Sequence, residues 1–249
     1  MACAELLTID YCFEWPDGRR LDVSVELDPE TLQAKAAQLS DPPPDWVRLG
    51  MRQCPNCPLS EAHERWCPVA RQVSPWLDIF ADANSYDRVA VTVTTAERSY
   101  SAQTSVQQGV SALMGVVMAT SGCPVLDPMR PMARFHLPFA SYEETAYRAI
   151  SMYLVAQHLR AQRGETADWA LEGFLDIYRA IQVVNQAFAA RLQQCISNDA
   201  NANALVILDC FAMMTAMDVE LGRSIPKSLQ PMFDPLMARA AIAQTSDLS

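Results

Sequence analysis

Histidine and lysine are scarce in this sequence: three His stand in 249 residues, and Lys35 and Lys227 are the only lysines. Three imidazoles leave little material for a His-rich catalytic metal site. Also missing are a Gly-rich phosphate loop, a Gly-x-Ser-x-Gly nucleophile elbow, a His-Glu-x-x-His pair and a dinucleotide-binding fingerprint. Together these absences argue against a hydrolase. The first ten residues have no basic stretch followed by a long apolar one, so no secretory signal is expected. The longest apolar stretches, 110–119 and 204–216, carry Gly or Asp and fall short of the ~20 residues a spanning helix needs. A cytoplasmic protein with no membrane partner is the expectation. A net charge of -10 repels phosphate backbones and argues against nucleic acid as a partner. One local basic cluster exists, Arg48, Arg52, Arg65 and Arg71, with Arg130 and Arg134 further on. No Gly/Ser-rich linker or repeat divides the chain, so residues 1–249 are read as one domain. Oligomeric state is not legible, nor is whether the partner is a protein or a small molecule.

What is present reads as an α+β fold: a small antiparallel sheet in the N-terminal half packed against a mainly helical C-terminal half. Residues 5–14 and 20–27 alternate apolar and β-branched positions around Trp15-Pro16-Asp17-Gly18, which predicts a hairpin. Asp28-Pro29-Glu30 supplies a cap, a proline and a first-turn acid, which predicts a helix to about Leu39. A Cys-rich irregular loop is expected over 50–70, then a short helix from Ser74 to Ala83 and strands near 89–93 and 98–102. Together, 1–103 form the sheet-rich part. From there to 249 the pattern is helical. Val110, Leu113, Met114 and Val117 repeat at helical spacing after Ser105, and Gly122 is placed to end that helix. A Pro-rich loop over 124–140 precedes Ser141 and Glu144, a capping box for a helix to Arg163. Further helices are expected over 168–195, 202–221 and 232–243.

Eight cysteines without a secretory signal suggest reduced thiols and metal ligands rather than a disulfide framework. Cys54, Cys57, Cys67 and Cys123 each precede a proline, whereas Cys3, Cys12, Cys195 and Cys210 do not. Proline restricts the residue before it to extended backbone, so each Cys-Pro unit holds its sulfur on a stiff stretch. The Cys54/Cys57 pair at C-x2-C spacing, Cys67 and a distant Cys123 make up four thiolates for one centre. Zinc is favoured over a 4Fe-4S cluster, which Cys-Pro ligation also marks. His63 is the alternative ligand. The spacing C-x2-C-x4-H-x4-C would suit a zinc knuckle, but His63 falls one residue late; otherwise it is a solvated side chain between Glu61 and Glu64.

Arg134 and His136 follow Cys123 closely and are the candidate catalytic residues, His136 as a general base or exchangeable ligand and Arg134 as an anion clamp. The competing readings are a His packed among aromatics and an Arg that ties down a loop. Asp209 sits among apolar helical neighbours and reads as an anchor for an adjoining element. Glu143 and Glu144 read as first-turn helix acids, and the methionines of 114–118 and 213–217 as core filler.

The runs Cys54-Pro-Asn-Cys57-Pro-Leu59, Ala119-Thr-Ser-Gly-Cys123-Pro124 and Arg130-Pro-Met-Ala-Arg134-Phe-His136-Leu-Pro-Phe-Ala-Ser141 resemble an uncharacterised bacterial protein family of similar length. The resemblance covers residues 54–141. It implies no activity and supplies no catalytic residue. Three readings follow: a binding or regulatory module with a structural metal; a redox or sensing protein with an iron-sulfur or labile zinc centre; and an enzyme whose pocket lies by the 123–141 loop.

Overall fold

The computed structural model describes residues 6–77, 80, 83–195, 199–220 and 227–238. The predicted hairpin is β1 (Leu7–Glu14) paired antiparallel with β2 (Arg20–Leu27), in register from Leu7↔Leu27 to Glu14↔Arg20. Gly18 closes the turn with φ 86°, a conformation that L side chains avoid. β3 (Arg88–Thr94) joins the free edge of β1, and β4 (Ser99–Ser105) joins β3, giving the antiparallel order β2-β1-β3-β4. Ile9, Tyr11 and Phe13 on β1 and Val89, Val91 and Val93 on β3 alternate into the core, as period-two patterning requires.

Five helices carry most of the remainder: α1 (Pro68–Leu77), α2 (Val106–Thr120), α4 (Tyr142–Gln162), α5 (Glu172–Cys195) and α6 (Asp199–Glu220), with a short α3 (Arg130–Arg134) between α2 and α4. Helix α2 lies at the centre. One side meets the sheet and the other meets α6, which in turn pairs with α5. The predicted capping box is formed: the Ser141 hydroxyl accepts from the Glu144 N–H, while the Glu144 carboxylate accepts from the Ser141 N–H. One contiguous apolar cluster runs from β1 through α2 to α5 and α6.

Four expectations need correction. Residues 28–39 form no helix. Asp28 Oδ1 does accept from the Glu30 and Thr31 backbone N–H groups, but Leu32 at φ 57° ends the turn at once. Ala34 then bridges to Leu27, with Lys35 N–H donating to Glu26 O and Ala34 N–H to Thr120 O. Half-buried Leu32, Ala34, Ala37 and Leu39 lie at mostly two-residue steps, so pairing with β2 won over a strong local cap. Helix α1 starts at Pro68 rather than Ser74, because proline is at home at the first helical position and the Cys67 carbonyl accepts from Arg71 N–H. The 124–140 loop contains a 3-10 turn, Asp127–Met129, and α3. The helix expected over 232–243 is seen as a 3-10 turn at Gln230–Met232 and a helical segment over 234–238, and its remainder lies outside the described residues.

Helix α2 and the sheet approach closely at Gly109. A Cβ there would stand 2.7 Å from Phe13 Cε1 and 2.9 Å from Val91 Cγ2, both in fully buried side chains. Gly109→Ala should therefore lower stability by about 1–3 kcal/mol through overpacking, even though alanine favours helix by about 1 kcal/mol. Urea denaturation decides the balance; a more stable variant would show that α2 can lift off the sheet without cost.

Candidate metal centre

The four Cys-Pro cysteines meet around one small enclosed cavity of about 20 Å³, lined by Cys54, Cys57, Cys67 and Cys123. Three separate stretches of backbone bring them there. Residues 50–57 run as turns in which the Cys57 N–H donates to the Cys54 carbonyl. A short ladder, Leu49 N–H to Arg65 O and Cys67 N–H to Val47 O, folds the excursion back on itself and delivers Cys67 to the start of α1. Cys123 follows Gly122, whose φ of 85° turns the chain off the C-terminus of α2. The proline after Cys67 and after Cys123 opens a turn or helix. The first backbone N–H groups after it face the sulfur, Val69 and Ala70 for Cys67, and Val125 and Leu126 for Cys123, with Leu126 N–H also donating to the Cys123 carbonyl. The stiffness expected of Cys-Pro thus comes with a second effect, a built-in set of thiolate donors.

Helix α5 forms the opposite wall with Val184, Phe188 and Arg191. Arg191 is 2% exposed, and its guanidinium donates to the carbonyls of Trp46, Arg48, Leu49 and Arg52 at 3.1–3.2 Å. Asn56, between the first two cysteines, donates to the Ala180 carbonyl of the same helix at 2.9 Å. These bonds pin the cysteine loop onto α5. Sequence reasoning missed Arg191, because no local pattern distinguishes it from a surface arginine of a long helix.

Burial pushes the Cys54 thiol up to about 12 and that of Cys123 up to about 11, and raises Cys67 as well. Charge on any one of the four sulfurs would raise another, in every pairing, so they sit within electrostatic reach of one another. Arg191 pulls Cys54 and Cys67 back toward the thiolate. All four are free cysteines. Among the described residues no group of three or more His, Cys, Asp or Glu is arranged to hold a metal ion as it stands. The donor chemistry nevertheless fits one: four thiols in an apolar shell of Leu49, Leu59, Val69, Val125, Val184 and Phe188, with one cation nearby.

His63 is exposed in a turn and does not line this cavity. Arg134 pairs with Glu97 on the surface at 2.9 Å, its guanidinium 5.8 Å from the Phe135 ring, so it makes no anion clamp with His136. The other arginines around the cysteine segment are likewise engaged locally: Arg48 with Asp45, Arg52 with Gln194, Arg65 over the Trp66 ring, Arg71 with the Ala37 carbonyl and Arg130 with Asp127. His136 lies in a second, larger cavity, of which Arg134 is not a part. Its Nε2 is 2.5 Å from the Tyr11 hydroxyl, which also donates to the Ala112 carbonyl at 3.0 Å. A hydroxyl has one proton, so both bonds coexist only when His136 Nε2–H donates. Burial, with Arg148 nearby, drives its pKa down to about 3, and the ring is neutral. Asp209 stands on α6, with Gln186 Nε2 3.4 Å from its Oδ2, and its Oδ1 has no partner among the described residues.

An α+β protein with a buried four-cysteine cavity between an irregular loop and a long helix is the class so defined. A profile of the domain of unknown function DUF6901 matches residues 9–230, and the chain belongs to that family. No curated protein and no solved structure matches it. No helix among the described residues is long and apolar enough to cross a membrane.

Two outcomes follow from this geometry. Arg191→Met leaves several buried carbonyls without donors and should cost upwards of about 3 kcal/mol in denaturant titrations; a loss below about 1 kcal/mol would mean that the loop holds without it. For His136, the folded pKa lies below that of the unfolded chain. Acid therefore protonates the unfolded state first, and stability drains away as pH falls from about 6.5 towards 3. His136→Gln should remove up to about 5 kcal/mol of that loss at the acid end. Parallel pH profiles of wild type and variant would refute the assignment.

Proposed function

We propose that this chain binds one metal ion through Cys54, Cys57, Cys67 and Cys123, with zinc the favoured ion, and that the site clamps the cysteine loop, the start of α1 and the segment after α2 into a structural or regulatory module. The observation that carries this reading is the convergence of the four proline-flanked cysteines, and of no other cysteine among the described residues, on one small cavity. Closing them on an ion requires the sulfurs to move inward. The loop is anchored for that by Arg191 and Asn56 rather than by contacts among the sulfurs themselves.

Zinc is preferred to a 4Fe-4S cluster because a C-x2-C pair completed by two further thiolates is a usual ligand set of a closed structural zinc site. Zinc bound to four thiolates keeps no open position, so the role fits clamping rather than catalysis. The reduced thiols agree with a cytoplasmic setting. Surface loops around the centre, 50–66, are where a protein partner would read the clamped state.

Because the buried thiols hold their protons, loading must expel them. Zinc added to chelator-stripped protein in weak buffer should release protons, with affinity climbing as pH rises. Iron, zinc and acid-labile sulfide measured on anaerobically purified protein should give one zinc per chain and no colour. Cys123→Ser and Cys57→Ser should each lower zinc content and thermal stability. Iron with stoichiometric sulfide would transfer the site to a cluster and the redox reading, and wild type devoid of both metals would end the proposal.

A further inference from the structure

An apolar hollow of about 360 Å³ lies between α2, the 126–140 segment, the start of α4, α5 and α6. Its volume is within the range of about 300–1,000 Å³ typical of small-molecule sites. Val116, Ile181, Leu208 and Phe211 form much of its wall, and Met118, Met129 and Met132 add side chains that adapt to a guest's shape.

Its polar groups set it apart from a packing defect. Asn185 is 4% exposed, Tyr178 4% and Ser111 5%; all three line the hollow, and none has a side-chain hydrogen-bond partner among the described residues. Their polar atoms are not among the fully enclosed unpaired ones, so the hollow reaches them, and water or a guest there can serve as their partner. Arg148 lines the same space. One nitrogen, Nη2, is held by the Met132 and Phe135 carbonyls at 3.0 and 2.5 Å, while no carboxylate among the described residues forms an ion pair with the guanidinium. Glu144 is felt only at longer range, and burial pushes the Tyr178 phenol well up, so it stays neutral. His136 adds no negative charge. A half-buried cation beside unpaired donors, in an otherwise apolar chamber, matches a guest with an anionic head and an apolar body.

We propose that this chamber binds a small aliphatic carboxylic acid, its carboxylate toward Arg148 with the Asn185 amide and the Tyr178 hydroxyl as further donors, and its chain along Val116, Ile181, Leu208 and Phe211. The site is separate from the cysteine cavity, and its assignment does not rest on which metal, if any, the cysteines hold.

Calorimetric titration of the full-length protein with decanoate, and with decanol as the uncharged chain of equal length, tests this. Decanoate should bind saturably and at least about tenfold more tightly than decanol. Asn185→Leu removes an unpaired amide without changing much volume, so it should raise the melting temperature of the ligand-free protein and weaken decanoate binding. Arg148→Met should abolish the preference for acid over alcohol. Equal affinity for the two ligands, absence of saturable binding by decanoate, or a destabilised Asn185→Leu with unchanged decanoate affinity would each overturn the proposal.

Discussion

A single guanidinium holds the irregular part of this molecule in place. Residues 46–57 contain no helix or strand longer than a turn, so beyond the Val47 carbonyl, which Cys67 N–H satisfies, their carbonyls have no ladder. Arg191 answers four of them at once from the last third of α5. Its planar fork reaches several acceptors in fixed directions, which a lysine ammonium on a flexible stem does not. Without that grip Cys54 and Cys57 lose their position relative to Cys67 and Cys123. The cost of burying the arginine charge is offset by charge-dipole bonds to the carbonyls and by its closeness to Cys54 and Cys67, whose ionised forms it favours.

Local signals were read correctly where the structure uses them locally. The Trp15–Gly18 turn, the Ser141/Glu144 capping box and the helical spacing of Val110, Leu113, Met114 and Val117 each specify an element within a few residues of themselves, and each element forms. The Asp28 cap is equally real, yet it governs a single turn. What overrules it is a tertiary demand: the end of β2 and the end of α2 both offer backbone partners to residues 34 and 35. No window of sequence around Asp28 contains that information.

The cysteine site divides in the same way. Proline follows each of Cys54, Cys57, Cys67 and Cys123, and these four line one cavity; the constraint that proline puts on the backbone is local and the same at each position. The wall opposite them was not legible. Arg191 meets its carbonyls across separations of 139 to 145 residues, and Asn56 reaches Ala180 across 124. Arg134 drew attention by its nearness to Cys123 in sequence, whereas the half-buried arginine beside His136 is Arg148, one helix further on, whose role rests on carbonyls of the 130–135 segment.

Helix α5 is shared between the two cavities, and that arrangement limits how independent they are. Ile181 and Asn185 face the larger chamber, while Val184, Phe188 and Arg191 face the cysteines. The segment after Cys123 is shared too, with Val125 on one side and Leu126 on the other. Close-packed interiors shift as units rather than deform smoothly, so a tilt of α5 that opens the chamber also moves the Arg191 guanidinium and the carbonyls it holds. Drawing the sulfurs inward pulls on the same helix from the opposite side. Coupling of this kind needs no chain of signalling residues, only one rigid element with a load at each face, and its sign is set by whether both loads favour the same position of α5.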